Sequence, residues 1–160
     1  MNFKVFIKNI FIVTIVTLVL SACATKTSTL PSQIQGDVYT GTDTVEYLAK
    51  GVPDRVFFAT NESVLTTASR DTLRKQAAWM RANDSLSFTI EGHADERGTR
   101  EYNLALGERR ANAAKDYLMT YGISGNRLSV ISYGKERPVN SGSNPLAWSQ
   151  NRRSVTVKAN

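Results

Sequence analysis

The sequence is poor in the residues that most often carry chemistry. One cysteine in 160 residues excludes an intramolecular disulfide. One histidine, His93, excludes a two-histidine zinc site, and no serine, second cysteine or acid partner beside it completes a hydrolytic set. Structural or hydrogen-bonding duty in its loop is the plainer reading of His93. No apolar run reaches the roughly 20 residues of a membrane span; the longest, Ile10 to Leu20, is interrupted by Thr14 and Thr17. Internal repeats are absent. What is present is an apolar share of 41%, enough for one packed domain with extensions.

The first residues are a targeting segment. Met1 to Lys8 carries two lysines and no acid, the apolar run follows, and Leu20-Ser21-Ala22-Cys23 closes it with small residues. A basic start, a short apolar stretch and a small-residue cleavage site describe a secretory signal peptide over 1–22. Leu-Ser-Ala-Cys resembles the bacterial lipobox, which implies that Cys23 becomes the first mature residue and carries several acyl chains, enough for durable anchoring. Ala24 stands where an aspartate would signal inner-membrane retention, so the resemblance implies the outer membrane, with the chain facing the periplasm. Removal of Lys4 and Lys8, with no acid lost, lowers the formal charge from +6 to +4. For an exported chain the relevant polyanions are lipid headgroups and the cell-wall polymer, so nucleic acid is not an expected partner.

Residues 23–52 read as a flexible tether, because Ala24 to about Gly36 is Thr-, Ser-, Gln- and Pro-rich and offers little to bury. About 30 such residues reach on the order of 100 Å when extended and about 30 Å on average. Val45, Tyr47 and Leu48 leave open a short turn docked on the domain. From Pro53 to residue 160 strand and helix periods alternate. Val56-Phe57-Phe58 is a short apolar strand, and Thr66 or Thr67 caps a helix to about Ala82, with Leu73, Ala77 and Met80 inward. Leu86, Phe88 and Ile90 alternate with polar residues as a half-buried strand. Tyr102, Leu106, Arg109, Ala113 and Tyr117 share one face of a second helix, and Gly122 lies at its C-terminal cap. Leu128 to Tyr133 is a third strand, Asn144-Pro145 opens a short helix, and Val155 and Val157 lie in a fourth strand. The order βαβαβαβ predicts an α/β sandwich, with helices packed on a small mixed sheet.

The richest stretch is Glu91-Gly92-His93-Ala94-Asp95-Glu96-Arg97-Gly98, at a strand end before a helix. Tyr102-Asn103, Gly107-Glu108-Arg109-Arg110-Ala111, Ser132-Tyr133-Gly134 and Asn151-Arg152-Arg153 follow in order. A carboxylate pair among Glu91, Asp95 and Glu96 would suit glycoside hydrolysis, but Glu91 lies on the polar side of its strand and Glu96 reads as solvated. Calcium and zinc lack their loop spacings here. Asn151-Arg152-Arg153 is either a basic patch or a pin between the last helix and strand. Tyr102 and Asn103 either line a pocket or open the helix. Trp79 and Trp148 read as packing residues.

Taken together, these motifs resemble the OmpA-like peptidoglycan-binding domain family, and within it the peptidoglycan-associated lipoproteins, from Pro53 to the C-terminus. The resemblance implies non-covalent binding of the diaminopimelate residue of peptidoglycan stems, with no catalysis, no cofactor beyond the lipid on Cys23, and no metal. It assigns the ligand to Asp95 and Arg110, with Asn61, Asn103, Gly98 and Thr99 beside them. A free diaminopimelate end presents an ammonium and a carboxylate on one carbon, chemistry that suits an acid and a planar guanidinium fork. With the helix starting near Arg100, the intervening loop folds Asp95 back beside its second to third turn. The chain departs from the family at Phe58-Ala59-Thr60-Asn61, where Phe-Asp-x-Asp is usual; Asn61 keeps an acceptor oxygen and loses the charge. The resemblance further implies a place in the Tol system, with TolB as partner, supporting envelope integrity and cell division. Two rivals are a protein-binding lipoprotein whose wall pocket has degenerated and a lipoprotein wall hydrolase.

Overall fold

The structure, a computed structural model, describes residues 34–159. The signal peptide over 1–22, the lipidation of Cys23 and the first part of the expected tether lie outside the described residues. Among those described, no helix is long and apolar enough to cross a membrane.

Four strands, β5 (Arg55–Phe57), β6 (Phe88–His93), β7 (Leu128–Gly134) and β8 (Arg153–Lys158), form one sheet in the order β5-β8-β6-β7. β6 and β7 are parallel, with Ile90 opposite Val130; β8 runs antiparallel to both β6 and β5. The parallel pair requires a crossover, supplied by helix α2 (Arg100–Thr120). Helix α1 (Thr67–Ala82) links β5 to β6, and a short helix α3 (Pro145–Asn151) precedes β8. Together with the short strands described below, this is the α/β arrangement expected from the sequence, three helices on a four-stranded mixed sheet.

Alternation along the strands sends Val56, Phe88, Ile90 and Leu128 to the helix-covered face. There they pack with Phe58, Leu73, Ala77, Met80, Ala111, Ala114 and Leu118, all buried. Fully burying a side chain of the size of Phe88 or Ile90 contributes about 1.5–3 kcal/mol. The helix ends use local signals. Thr66 caps α1 by accepting from Ser69 N, Asn144 caps α3 by accepting from Ala147 N, and Gly122 takes φ +83° just beyond α2.

Two expectations from the sequence are corrected. The buried face of α2 is Asn103, Leu106, Gly107, Arg110, Ala111, Ala114 and Leu118, whereas Tyr102 and Arg109 are exposed and Ala113 and Tyr117 are half-buried. The inner face mixes Leu106 and Leu118 with small and polar residues, so of the residues that share the expected spacing only Leu106 is fully inward and the others mark its flank. Gly107 sits inward because α2 lies directly on β6: a Cβ on Gly92 would stand 1.8 Å from Gly107 O.

The second correction concerns 34–52, which is structured and not free tether. β1 (Ile34–Gln35) pairs with β2 (Val38–Tyr39), and β3 (Tyr47–Ala49) with β4 (Val52–Pro53), all antiparallel. Tyr39 is buried, its ring 4.8 Å from that of Phe57 in an edge contact. Gln150 Nε2 donates to Asp43, Glu46 N donates to Asp54, and Thr60 N donates to Asp37. The first and last of these anchors join residues far apart along the chain, so local composition does not reveal them.

Candidate functional site

The site forms where β6 ends. Ala94 N donates to Gly134 O at 2.8 Å, tying the ends of the two parallel strands together before the chain turns to α2. Asp95 follows, buried, with its carboxylate fully engaged. Oδ1 accepts from Arg97 N at 3.1 Å and Arg97 Nε at 3.0 Å; Oδ2 accepts from Arg97 Nη2 at 2.7 Å and Arg152 Nη1 at 3.2 Å. Four donors match the roughly four lone-pair positions of an ionised carboxylate. Burial pushes the Asp95 carboxyl up, but the hydrogen bonds and charges of Arg97 and Arg152 outweigh it and hold its pKa below the ordinary value.

The loop then turns on Gly98, at φ +88°, a conformation that favours glycine. Thr99 caps α2, its hydroxyl accepting from Tyr102 N at 3.2 Å. Asn103, buried one turn in, donates through Nδ2 to Arg97 O at 2.8 Å and so fixes the residue that grips Asp95. Gly98, Thr99 and Asn103 thus set the shape of the loop.

Arg110 lies beneath, with no exposed surface. Its guanidinium donates to three backbone carbonyls: Nε to Glu62 O at 2.8 Å, Nη1 to His93 O at 2.9 Å and Nη2 to Ala59 O at 3.0 Å. It clamps the 59–62 turn against the end of β6. Burial, then the nearby Arg152 guanidinium, lowers its pKa to about 10, and it remains charged at neutral pH. Asn61, at the exposed tip of that turn, has φ 57°, which asparagine tolerates better than most residues.

Asp95, Arg110, Asn61, Gly98, Thr99 and Asn103 are therefore gathered at one end of the sheet. Four neighbours were not assigned from the sequence. Arg97, about two-fifths exposed, stacks its guanidinium 4.3 Å from the centre of the Trp148 ring, and its Nη2 reaches Thr60 Oγ1 at 3.4 Å. Trp148 donates through Nε1 to Glu96 at 2.9 Å. Arg152 resolves in favour of the pin: buried, it donates to Phe58 O at 3.1 Å, to Asp95 and to Asp37 O. Asp37, from the β1–β2 turn, accepts from Thr60 N at 2.6 Å. The proximity of Arg97 to Asp95 was a usable signal; nothing local marks Trp148, Arg152 or Asp37.

His93 is buried with its Nε2 3.4 Å from Glu91, and neither ring nitrogen makes a hydrogen bond. Burial, then the charges of Arg153, Arg55 and Arg137, lower its pKa to about 3, so it is neutral. Glu96 is taken up by Trp148 and Ser143. Among the described residues no group of three or more histidines, cysteines and acids is placed to hold a metal ion. A cavity of about 500 Å³ beside Tyr39, Phe57 and Thr67 lies apart from Asp95 and Arg97.

A domain with this sheet order, carrying a charged cluster at the β6–α2 junction, is matched by the OmpA family model over residues 57–152, and the chain belongs to the OmpA family. Within it the chain resembles proteins named peptidoglycan-associated lipoprotein. It is 46% identical to that of Rhizobium meliloti, over 92% of this chain and 86% of the relative. It is 55% identical to that of Brucella melitensis, over 66% of this chain and 63% of the relative. The crystal structure of the peptidoglycan-associated lipoprotein from Burkholderia pseudomallei superposes with a TM-score of 0.65 at 34% identity, covering 66% of this chain and 90% of that one. The C-terminal domain of Helicobacter pylori MotB, 18% identical with a TM-score of 0.62, shares the fold.

Proposed function

We propose that the chain is an outer-membrane lipoprotein whose domain holds peptidoglycan without covalent chemistry. The observation that carries this reading is the Asp95 carboxylate gripped by the exposed Arg97 and the buried Arg152, with Arg110 buried beneath, at one end of the sheet. Relatives named for association with peptidoglycan extend over most of the chain. The ligand suited to such a surface is the diaminopimelate end of a stem peptide, whose carboxylate meets the exposed Arg97 guanidinium and whose ammonium needs an acid. Asp95 and Arg110 are central to the site: Asp95 orders the exposed Arg97 and the buried Arg152, and Arg110 holds the 59–62 turn that forms its rim. No bond is made or broken, and the protein's work is mechanical, with a lipid on Cys23 in the outer membrane and the domain on the wall. The same resemblance supports a place in the Tol system, with TolB as partner and envelope integrity and cell division as the outcome.

Co-sedimentation of the detergent-solubilised chain with purified diaminopimelate-type sacculi tests this. Retention that weakens with salt, and weakens further in Asp95→Asn, is expected. A folded native chain that stays in the supernatant would refute wall binding and favour the protein-binding lipoprotein.

A further inference from the structure

In this arrangement the acid assigned to an ammonium is already spent. Asp95 accepts four hydrogen bonds from two arginines and its side chain is only 8% exposed, so it offers neither a lone pair nor access. The turn that would supply a second acid carries Asn61, which has no charge. The surroundings are cationic, with Arg97, Arg110 and Arg152 converging, and an ammonium entering them without a further carboxylate is repelled.

Asp37 meets that need. It belongs to the β1–β2 turn, outside the residues 57–152 matched by the family. Its carboxylate lies on Thr60 N, one residue before Asn61, with Arg152 Nη2 3.9 Å away, and its side chain is 48% exposed. Arg152 also donates to the backbone carbonyl of Asp37, so the turn is held at the rim by the same arginine that binds Asp95.

We propose that Asp37, reaching in from the segment before the family domain, supplies the carboxylate that receives the ammonium of the wall's diamino acid and stands in for the charge missing at Asn61. This rests on the wall-binding reading above. It makes the 34–39 segment part of the binding site, so the lipid-proximal stretch and the domain together form the pocket.

The test uses the detergent-solubilised full chain and two preparations of sacculi, one with free amines and one acetylated to neutralise them. One exposed charge pair is worth about fivefold in affinity. The native chain should prefer the free-amine wall by about that factor, and Asp37→Asn, which keeps an acceptor for Thr60 N–H, should bind both alike at the lower level. Adding Asn61→Asp to Asp37→Asn should restore the preference, since aspartate also tolerates a left-handed φ. An unchanged preference in Asp37→Asn, with the native chain retained, overturns the proposal and leaves wall binding standing. An equal fall on both walls reduces Asp37 to a structural contact and overturns it too. A gain in binding makes Asp37 a competitor of the ligand, the opposite of the proposal. No retention of the native chain on either wall overturns wall binding itself, and the role of Asp37 with it.

Discussion

Replacing Arg110 by alanine should damage the fold before it damages binding. The guanidinium is wholly buried and donates to the carbonyls of Ala59, Glu62 and His93. A hydrogen bond to a charged donor contributes about 1.5–3 kcal/mol, and three added together would overstate the case because burial of the charge offsets part of it. The better guide is the cost of leaving its carbonyl partners unpaired, about 1–3 kcal/mol each and not fully additive, or about 3–5 kcal/mol together. Domains of this size hold about 5–15 kcal/mol in total, so the variant should lose a large fraction of its stability. With a urea m-value of about 1.5 kcal/mol/M, the unfolding midpoint should fall by about 2–3 M. Arg110→Lys keeps the charge and fewer of the donors, and should fall between. A midpoint within about 0.5 M of the native value in Arg110→Ala would refute the clamp. A wall-binding loss in this variant is therefore informative only beside its unfolding curve.

The remaining predictions concern other parts of the frame. His93 has its pKa lowered to about 3 in the fold, against 6.5 unfolded, so below pH 6.5 the unfolded chain binds a proton that the folded chain refuses. Stability is intact above pH 6.5 and falls as pH falls; between pH 7 and 5 the loss from this group is about 2 kcal/mol. In His93→Asn that part of the pH dependence should vanish, and an unchanged slope of stability against pH would count against the assignment. Gly92→Ala places a Cβ against the backbone oxygen of Gly107, so α2 must lift from β6; we expect a loss of about 3 kcal/mol or more by chemical denaturation. Thr99→Ala removes the cap of α2 at a cost of about 1 kcal/mol. A thermal midpoint identical to native would show that the cap contributes nothing.

Sequence alone determined the alternation of strands and helices, the helix ends, and the stretch that carries the site. These are legible because each depends on near neighbours: Thr66 caps a residue three along, Gly122 follows its own helix, and Phe88 and Ile90 alternate on one strand. The motif around Asp95 to Arg97 is legible for the same reason. Only the tertiary structure decided which face of α2 turns inward, because beside Leu106 and Leu118 that face carries Asn103, Gly107, Arg110 and Ala111, residues with little hydrophobic signal. It also decided what the charged groups do. Asp95 is bound by an arginine 57 positions away, Arg110 by carbonyls about 50 positions away, and Asp37 by Thr60 and Arg152. Long-range pairing of charges is set by how the sheet order β5-β8-β6-β7 brings distant strand ends to one edge, and a one-dimensional pattern holds no record of that adjacency.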